Sequence, residues 1–284
     1  MQIIIVTGSN SGIGKTAALT LAKAGHRILM LCRDSEKSKQ AQKEIITQSG
    51  NENVVLLPVD LADPASIRTV VEKINSQYPV IDVLVNNAGL YNVKREETAN
   101  GVEMTLAVNF LAPFMLSEML LPNLQAGGAG RIINVSSELY KNGSIDLDDL
   151  MLKNRYKAGD AYANSKLATA LYTIDLTRRI SDKGVTVNVL HPGVLATNVF
   201  RDYPDFIMKI VGLFLEKPQK GGERIAYLAV SDEVQHVTGG YFYKTESREL
   251  VVPAEAGDKT EALLQLAEKF TGLQRMPANP LETI

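Results

Sequence analysis

Short, predominantly apolar runs recur along the first two thirds of the chain and alternate with longer segments whose apolar residues return every three or four positions. The runs "IIIV" (3–6), "ILMLC" (28–32), "VVLLPV" (54–59), "VLVN" (83–86) and "RIINVS" (131–136) are rich in β-branched residues and predict strands. Between them, "GKTAALTLAKAG" (14–25), "SEKSKQAQKEIITQSG" (35–50) and "PASIRTVVEKINSQ" (64–77) predict amphipathic helices. Strands that are apolar throughout and separated by helices belong to a parallel sheet covered on both faces. A sixth strand is expected at "VTVNVL" (185–190) and a short seventh near "GGYFY" (239–243). No internal repeat and no linker rich in Pro, Gly or Ser divides the chain. The expectation is one α/β domain, a doubly wound parallel sheet with helices on both faces, over residues 1–273, followed by a loose tail at 274–284.

Within "AYANSKLATAL" (161–171) a tyrosine and a lysine fall four apart, Tyr162 and Lys166, in a segment of helical period. Ala163, Leu167, Ala170, Leu171 and Ile174 supply a buried stripe beside them, so both polar heads are expected at the edge of a core. A neighbouring cation favours phenolate, and the expected effect is a tyrosine pKa lowered from about 10 toward a range useful for proton transfer. Such a pair also occurs on solvated helix faces, so context has to decide between the two.

The stretch "TGSNSGIG" (7–14) stands where the first strand gives way to the first helix. A dinucleotide pyrophosphate needs backbone N–H groups at a helix N-terminus and glycines that let the backbone approach closely. Gly8, Gly12 and Gly14 supply that, in a G-x-x-x-G-x-G spacing, and with Ser9, Asn10, Ser11 and Ile13 they are the candidate pyrophosphate contacts. The alternative is a plain strand-to-helix turn. The second strand ends "LCRD", which places Arg33 where a ribose 2′-phosphate would lie and favours NADP(H). Asp34, 20 residues beyond Gly14, could instead bind a ribose hydroxyl, which leaves NAD(H) open.

Composition removes other classes. With 284 residues, 45% hydrophobic and 22% charged, the chain can bury a substantial core, and a net charge of −2 gives no basic field for nucleic acid. The single cysteine, Cys32, excludes an intrachain disulfide or a cysteine-cluster metal site and fits a reducing compartment. The three histidines, His26, His191 and His236, are too scattered for a metal signature, so no metal is expected. The chain starts directly on its first strand, without a secretory signal or an apolar run near the roughly 18 residues that span a bilayer. A cytoplasmic protein with no transmembrane anchor is the expectation.

In order and spacing, "TGSNSGIG", "VDLAD" (59–63), "NNAG" (86–89), "VN" (108–109), "NVSS" (134–137), "YANSK" (162–166) and "HPGVLAT" (191–197) resemble the short-chain dehydrogenase/reductase family, across nearly the whole chain. "CRD" after the second strand, the long interval from "SSELYKNG" to "YANSKLA" and the later "EKPQKGGERIAYLAV" resemble its retinol dehydrogenase-like branch. The resemblance implies a Rossmann-type fold, an NAD(P)-dependent enzyme and a set of roles. Tyr162 would be the acid/base at the substrate oxygen, and Lys166 would tune it and hold the nicotinamide ribose. Ser137 would bond the same oxygen, with Ser136 as its rival if the register slips by one. Asn109 would anchor a water that links Lys166 to solvent, or else be a helix-interior amide bonded to backbone. Asp60 and Leu61 would contact adenine, although Asp60 could equally cap the helix beginning at Pro64. Asn87, Ala88 and Gly89 would face the cofactor or form only a strand-end turn, and Pro192, Gly193, Val194 and Thr197 would hold the nicotinamide carboxamide. His191 is expected to be structural.

Leu139, Tyr140 and Tyr156, between Ser137 and Tyr162, are expected near the pocket mouth. Beyond Thr197, Phe206, Ile207, Ile210, Val211, Phe214 and Leu215 recur at helical spacing, within an expected substrate lid at about 198–217. A helix packed on the core or on a second copy, or peripheral contact with a membrane, would use the same stripe. The expected activity is NADP(H)-preferring interconversion of an alcohol and a carbonyl on a small-to-medium apolar substrate, with a homo-oligomer left open. The alternatives are a catalytically silent NAD(P)-binding sensor or scaffold, and reduction of a carbon–carbon double bond.

Overall fold

The computed structural model describes residues 1–181, 183–193 and 216–277. Its first half follows the alternation of the sequence: β1 (Ile3–Thr7), α1 (Gly12–Lys23), β2 (Arg27–Cys32), α2 (Glu36–Ser49), β3 (Val54–Pro58), α3 (Pro64–Gln77) and β4 (Val83–Asn86). Local chemistry sets the helix ends. Ser35 caps α2 by accepting the Ser38 N–H, and Gly50, at φ +67°, ends it in the left-handed region. Asp63 caps α3 by accepting from the Ala65 N–H, with Pro64 as its first residue. The cap is therefore Asp63 and not Asp60.

A long helix, α4 (Met104–Ala126), follows. By length and composition it could cross a membrane, which corrects the expectation that no run in the chain comes near that. It is a core helix: 83% of its most apolar window is buried inside the protein. Then come β5 (Gly130–Val135), a 3₁₀ turn at Glu138–Asn142, α5 (Ala158–Arg179), β6 (Val185–His191), α6 (Pro218–Val230) and β7 (Gly240–Tyr243). Last are β8 (Glu246–Glu249), α7 (Ala254–Asp258) and α8 (Thr260–Thr271).

Among the described residues the sheet has eight strands in the order β3-β2-β1-β4-β5-β6-β7-β8, all parallel except β8, which pairs antiparallel with β7. β8 is absent from the sequence pattern because all four of its residues, Glu-Ser-Arg-Glu, are exposed. It forms as the return arm of a hairpin on an edge that its charges protect. One core cluster lies between the sheet and α3, α4, α5 and α8, and the other between the sheet and α1, α2 and α6. The chain reverses its direction of winding between β1 and β4, which opens a crevice outside their carboxyl ends.

Part of the expected loose tail is docked. The Arg179 guanidinium, 9% exposed, bonds Glu118 and the Met276 carbonyl, while Arg275 pairs with Asp175, Glu261 and Glu268. The Met276 N–H also donates to Glu118. Residues 278–284, and the apolar stripe 206–215 with most of the expected lid, lie outside the described residues.

Candidate active site

The carboxyl ends of β1, β4, β5 and β6 converge on the crevice, and a buried polar spine fixes their spacing. Asn86, at the end of β4, donates to Asn134 on β5 at 2.9 Å and to Ser117 on α4 at 3.1 Å. Asn134 in turn donates to Thr173 on α5 at 2.9 Å. A residue to which the sequence motifs assign no role, Thr7, ties β1 to the turn after β4. Its hydroxyl oxygen accepts from both the Asn87 and the Ala88 N–H groups, and its carbonyl accepts from the Asn87 side chain at 2.7 Å.

The glycine turn packs into this junction. Gly8 and Gly12 have φ of +65° and +54°, a region that disfavours any side chain. A Cβ on Gly14 would fall 2.6 Å from the Gly8 carbonyl oxygen and closer still to the Asn87 amide, so only hydrogen fits there. Ser9 is buried, donates to the Val6 carbonyl and contacts Cys32, while Asn10 donates to Ser38. Burial raises the Cys32 thiol pKa. Ser11, at the N-cap of α1, makes no side-chain capping bond, and the first turn, which begins Gly12, Ile13, carries no acid. The backbone N–H groups of that turn are thus suited to an anion, and the glycine cradle fits a dinucleotide pyrophosphate. Arg33 and Asp34 are both exposed beyond β2; Asp34 faces Lys39 at 3.8 Å, and the Arg33 guanidinium has no partner among the described residues. Asp60 is exposed after β3 and accepts from the Ala62 N–H, while Leu61 lines a small apolar crevice with Met115 and Phe270.

Across the crevice, α5 presents Tyr162 and Lys166. Ala163, Leu167, Ala170 and Leu171 are buried on the same helix, as the stripe requires. Lys166 is 4% exposed and its ammonium donates to the Val135 carbonyl at 2.9 Å, at the end of β5. It also stands 5.6 Å from the centroid of the Tyr162 ring. The Ser137 side chain, whose oxygen accepts from the Leu139 N–H, acts on the Tyr162 phenol and works to lower its pKa. Ser136 is buried, its hydroxyl without a partner among the described residues. Tyr91 stacks near the tyrosine, with ring centroids 5.7 Å apart.

The expected acidification of the phenol is reversed. Desolvation pushes Tyr162 up to about 12 against the opposing effect of Ser137, and desolvation lowers Lys166 to about 8. The ammonium lies over the ring face and is bonded to the Val135 carbonyl, and burial of the phenol outweighs the stabilisation it offers a phenolate.

Asn109 lies in a π-helical stretch of α4, Ala107–Leu111. Its side chain clamps the backbone of Leu90, accepting from the N–H at 2.8 Å and donating to the carbonyl at 3.0 Å, and also donates to Ser165. The geometry is that of a bonded interior amide, yet it borders the site. A Cβ on Gly89 would sit 3.4 Å from the Asn109 oxygen and 3.5 Å from the Lys166 nitrogen. At the end of β6, His191 is buried against Tyr243, and desolvation lowers its pKa. Pro192 and Gly193 follow, Gly193 at φ +97°, while Val194 and Thr197 lie outside the described residues. Of the side chains expected at the pocket mouth, Leu139 is 45% exposed. Tyr140 is instead buried against Tyr241, and Tyr156 donates to the Asn92 carbonyl.

A doubly wound sheet with a glycine turn at its switch point, and with a serine just after β5 facing a tyrosine and a lysine on α5, defines an NAD(P)-dependent oxidoreductase. The family model described as short chain dehydrogenase matches residues 2–206, and the chain belongs to that family, whose members act on CH–OH and C=O groups. It is 38% identical to human (Homo sapiens) retinol dehydrogenase 13, covering 96% of this chain and 85% of that one. Human retinol dehydrogenase 14 is 35% identical, with 96% and 87% covered. Among solved structures, an uncharacterised protein from Mycobacterium paratuberculosis superposes with a TM-score of 0.78 at 28% identity, covering 97% of this chain and 95% of that one.

Proposed function

We propose that the protein is an NADP(H)-preferring reductase of small-to-medium apolar carbonyl compounds, with Tyr162 as the proton donor. The observation that carries this is the buried Lys166 ammonium against the Tyr162 ring, 5.6 Å from its centroid, with the Ser137 side chain acting on the same phenol, at the crevice that the glycine turn borders. A nicotinamide bound there would supply the hydride. Ser137 and Tyr162 each offer a hydroxyl hydrogen to the substrate oxygen, which orients the carbonyl and stabilises the charge that develops on it. Tyr162 gives its proton to that oxygen, and Lys166, from behind the ring, stabilises the phenolate left behind. Asn109 holds Leu90 and Ser165 and so keeps the loop after β4 against Lys166.

Two exposed apolar side chains support an apolar substrate: Leu139, 45% exposed and two residues from Ser137, and Val93, 52% exposed in the same loop as Tyr91. The relatives' names add retinal to the aldehydes worth assaying. The exposed Arg33 guanidinium at the end of β2, without a partner among the described residues, supports the preference for NADP(H), since Asp34 faces Lys39. Replacement of Tyr162 by Phe tests the mechanism. NADPH oxidation against a panel of aldehydes and ketones should fall by at least about a thousandfold with NADPH affinity preserved. Near-normal turnover would refute it.

A further inference from the structure

Arg224 lies in none of the motifs that define the site, yet its guanidinium reaches it. From α6, one nitrogen donates to the Pro192 carbonyl at 2.5 Å and another pairs with Glu216. The second Glu216 oxygen takes the Lys244 ammonium at 2.7 Å. Lys244 is a non-glycine residue at φ +62° in the β7–β8 turn, a strained conformation that its surroundings must hold, and its N–H bonds the His191 carbonyl. A Cβ on Gly193 would sit 2.6 Å from the Arg224 nitrogen, so the guanidinium fills the space that any side chain at 193 would need.

The other end of this contact is the glycine turn. α6 meets α1 backbone to backbone: a Cβ on Gly222 would lie 2.6 Å from the Ala17 nitrogen, and the Thr16 hydroxyl donates to the Pro218 carbonyl at 2.9 Å. α1 begins at Gly12. One continuous path of close contacts therefore joins the pyrophosphate cradle, through α1 and α6, to the Pro192–Gly193 turn.

We propose that Arg224 is a positioning residue that holds the Pro192–Gly193 turn at a fixed distance from the glycine turn, so that the nicotinamide half of the cofactor is gripped independently of the adenosine half. This rests on the proposed function, in which Pro192 and Gly193 border the nicotinamide. A planar fork can serve Pro192 and Glu216 together, which a point-charge ammonium cannot.

The test compares NADPH with 2′-phospho-ADP-ribose, which lacks the nicotinamide, or NADH with ADP-ribose should the wild type bind only those. R224M is expected to weaken the dinucleotide about tenfold while the nicotinamide-free probe changes less than about twofold. R224K, which keeps a cation but not the fork, is expected to show the same split and guards against misfolding of R224M. Equal loss for both probes would mean that Arg224 serves only the fold, and no loss for either would mean that it positions nothing; each overturns the proposal. A wild type that binds neither dinucleotide would overturn the cofactor assignment, and this inference with it.

Discussion

The Lys166 ammonium stands over the face of the Tyr162 ring, 5.6 Å from its centroid, and is bonded to the Val135 carbonyl and not to the phenol. In the free protein the two groups are thus shifted separately by burial, the phenol up to about 12 and the ammonium down to about 8. The lysine shift alone corresponds to about 3 kcal/mol against the charged form.

The pH dependence of carbonyl reduction follows from these directions. Tyr162 keeps its proton across the neutral range, so supply of the proton is not limiting there. Lys166 loses its charge as pH rises through about 8, and the phenolate left by Tyr162 then loses its stabilising cation. The expected profile of kcat/KM for reduction is flat below neutrality and falls with a midpoint near that pH. A profile flat to pH 10 would show that the lysine charge is not used.

Ser137 and Ser136 are adjacent, but Ser137 acts on the phenol, while the buried Ser136 hydroxyl has no partner among the described residues. Ser137→Ala is expected to lower kcat by about a hundredfold, as expected for loss of one donor to the developing oxyanion, with dinucleotide affinity unchanged. Ser136→Ala is expected to leave kcat within about threefold. Steady-state kinetics of the two variants, measured side by side, checks the assignment; equal losses would remove it.

Arg33 can be tested through cofactor choice. Arg33→Ala is expected to raise KM for NADPH by at least about tenfold and to leave KM for NADH nearly unchanged, since an exposed guanidinium would touch only the 2′-phosphate. Parallel loss with both cofactors would argue against a phosphate contact.

Gly14→Ala places a methyl 2.6 Å from the Gly8 carbonyl oxygen and against the Asn87 amide. Overpacking of this kind costs about 1–3 kcal/mol and would part the glycine turn from the β4 turn. Thermal melting should show a lowered Tm, and the bound dinucleotide should recover little of it. An unchanged Tm would mean that the junction yields easily.

Much of this site was legible along the chain. The spacing of Gly8, Gly12 and Gly14 and the four-residue step from Tyr162 to Lys166 reflect needs met by near neighbours: close backbone approach and a shared helix face. The strand runs of β1 to β6 were likewise visible, because each is dominated by apolar, mostly β-branched or Leu residues. β8 was not, since four exposed residues have no pattern until β7 is present to pair with them. Nor was the buried charge of Lys166, the Asn109 clamp on Leu90, the Thr7 anchor or the reach of Arg224 to Pro192. Thr7 and Asn87 are 80 positions apart, and Arg224 and Pro192 are 32 apart. No local period records such meetings.

By itself, then, the sequence determined the strands β1 to β7, the helices α1, α2, α3 and α5 between them and the candidate groups for the chemistry, because periodicity and backbone freedom depend on residues close together along the chain. The tertiary structure decided the ionisation of those groups and what holds each in place. Desolvation and hydrogen-bond partnership depend on which distant segments close over a side chain, and in Tyr162 that closure reversed the direction its lysine neighbour alone would have imposed.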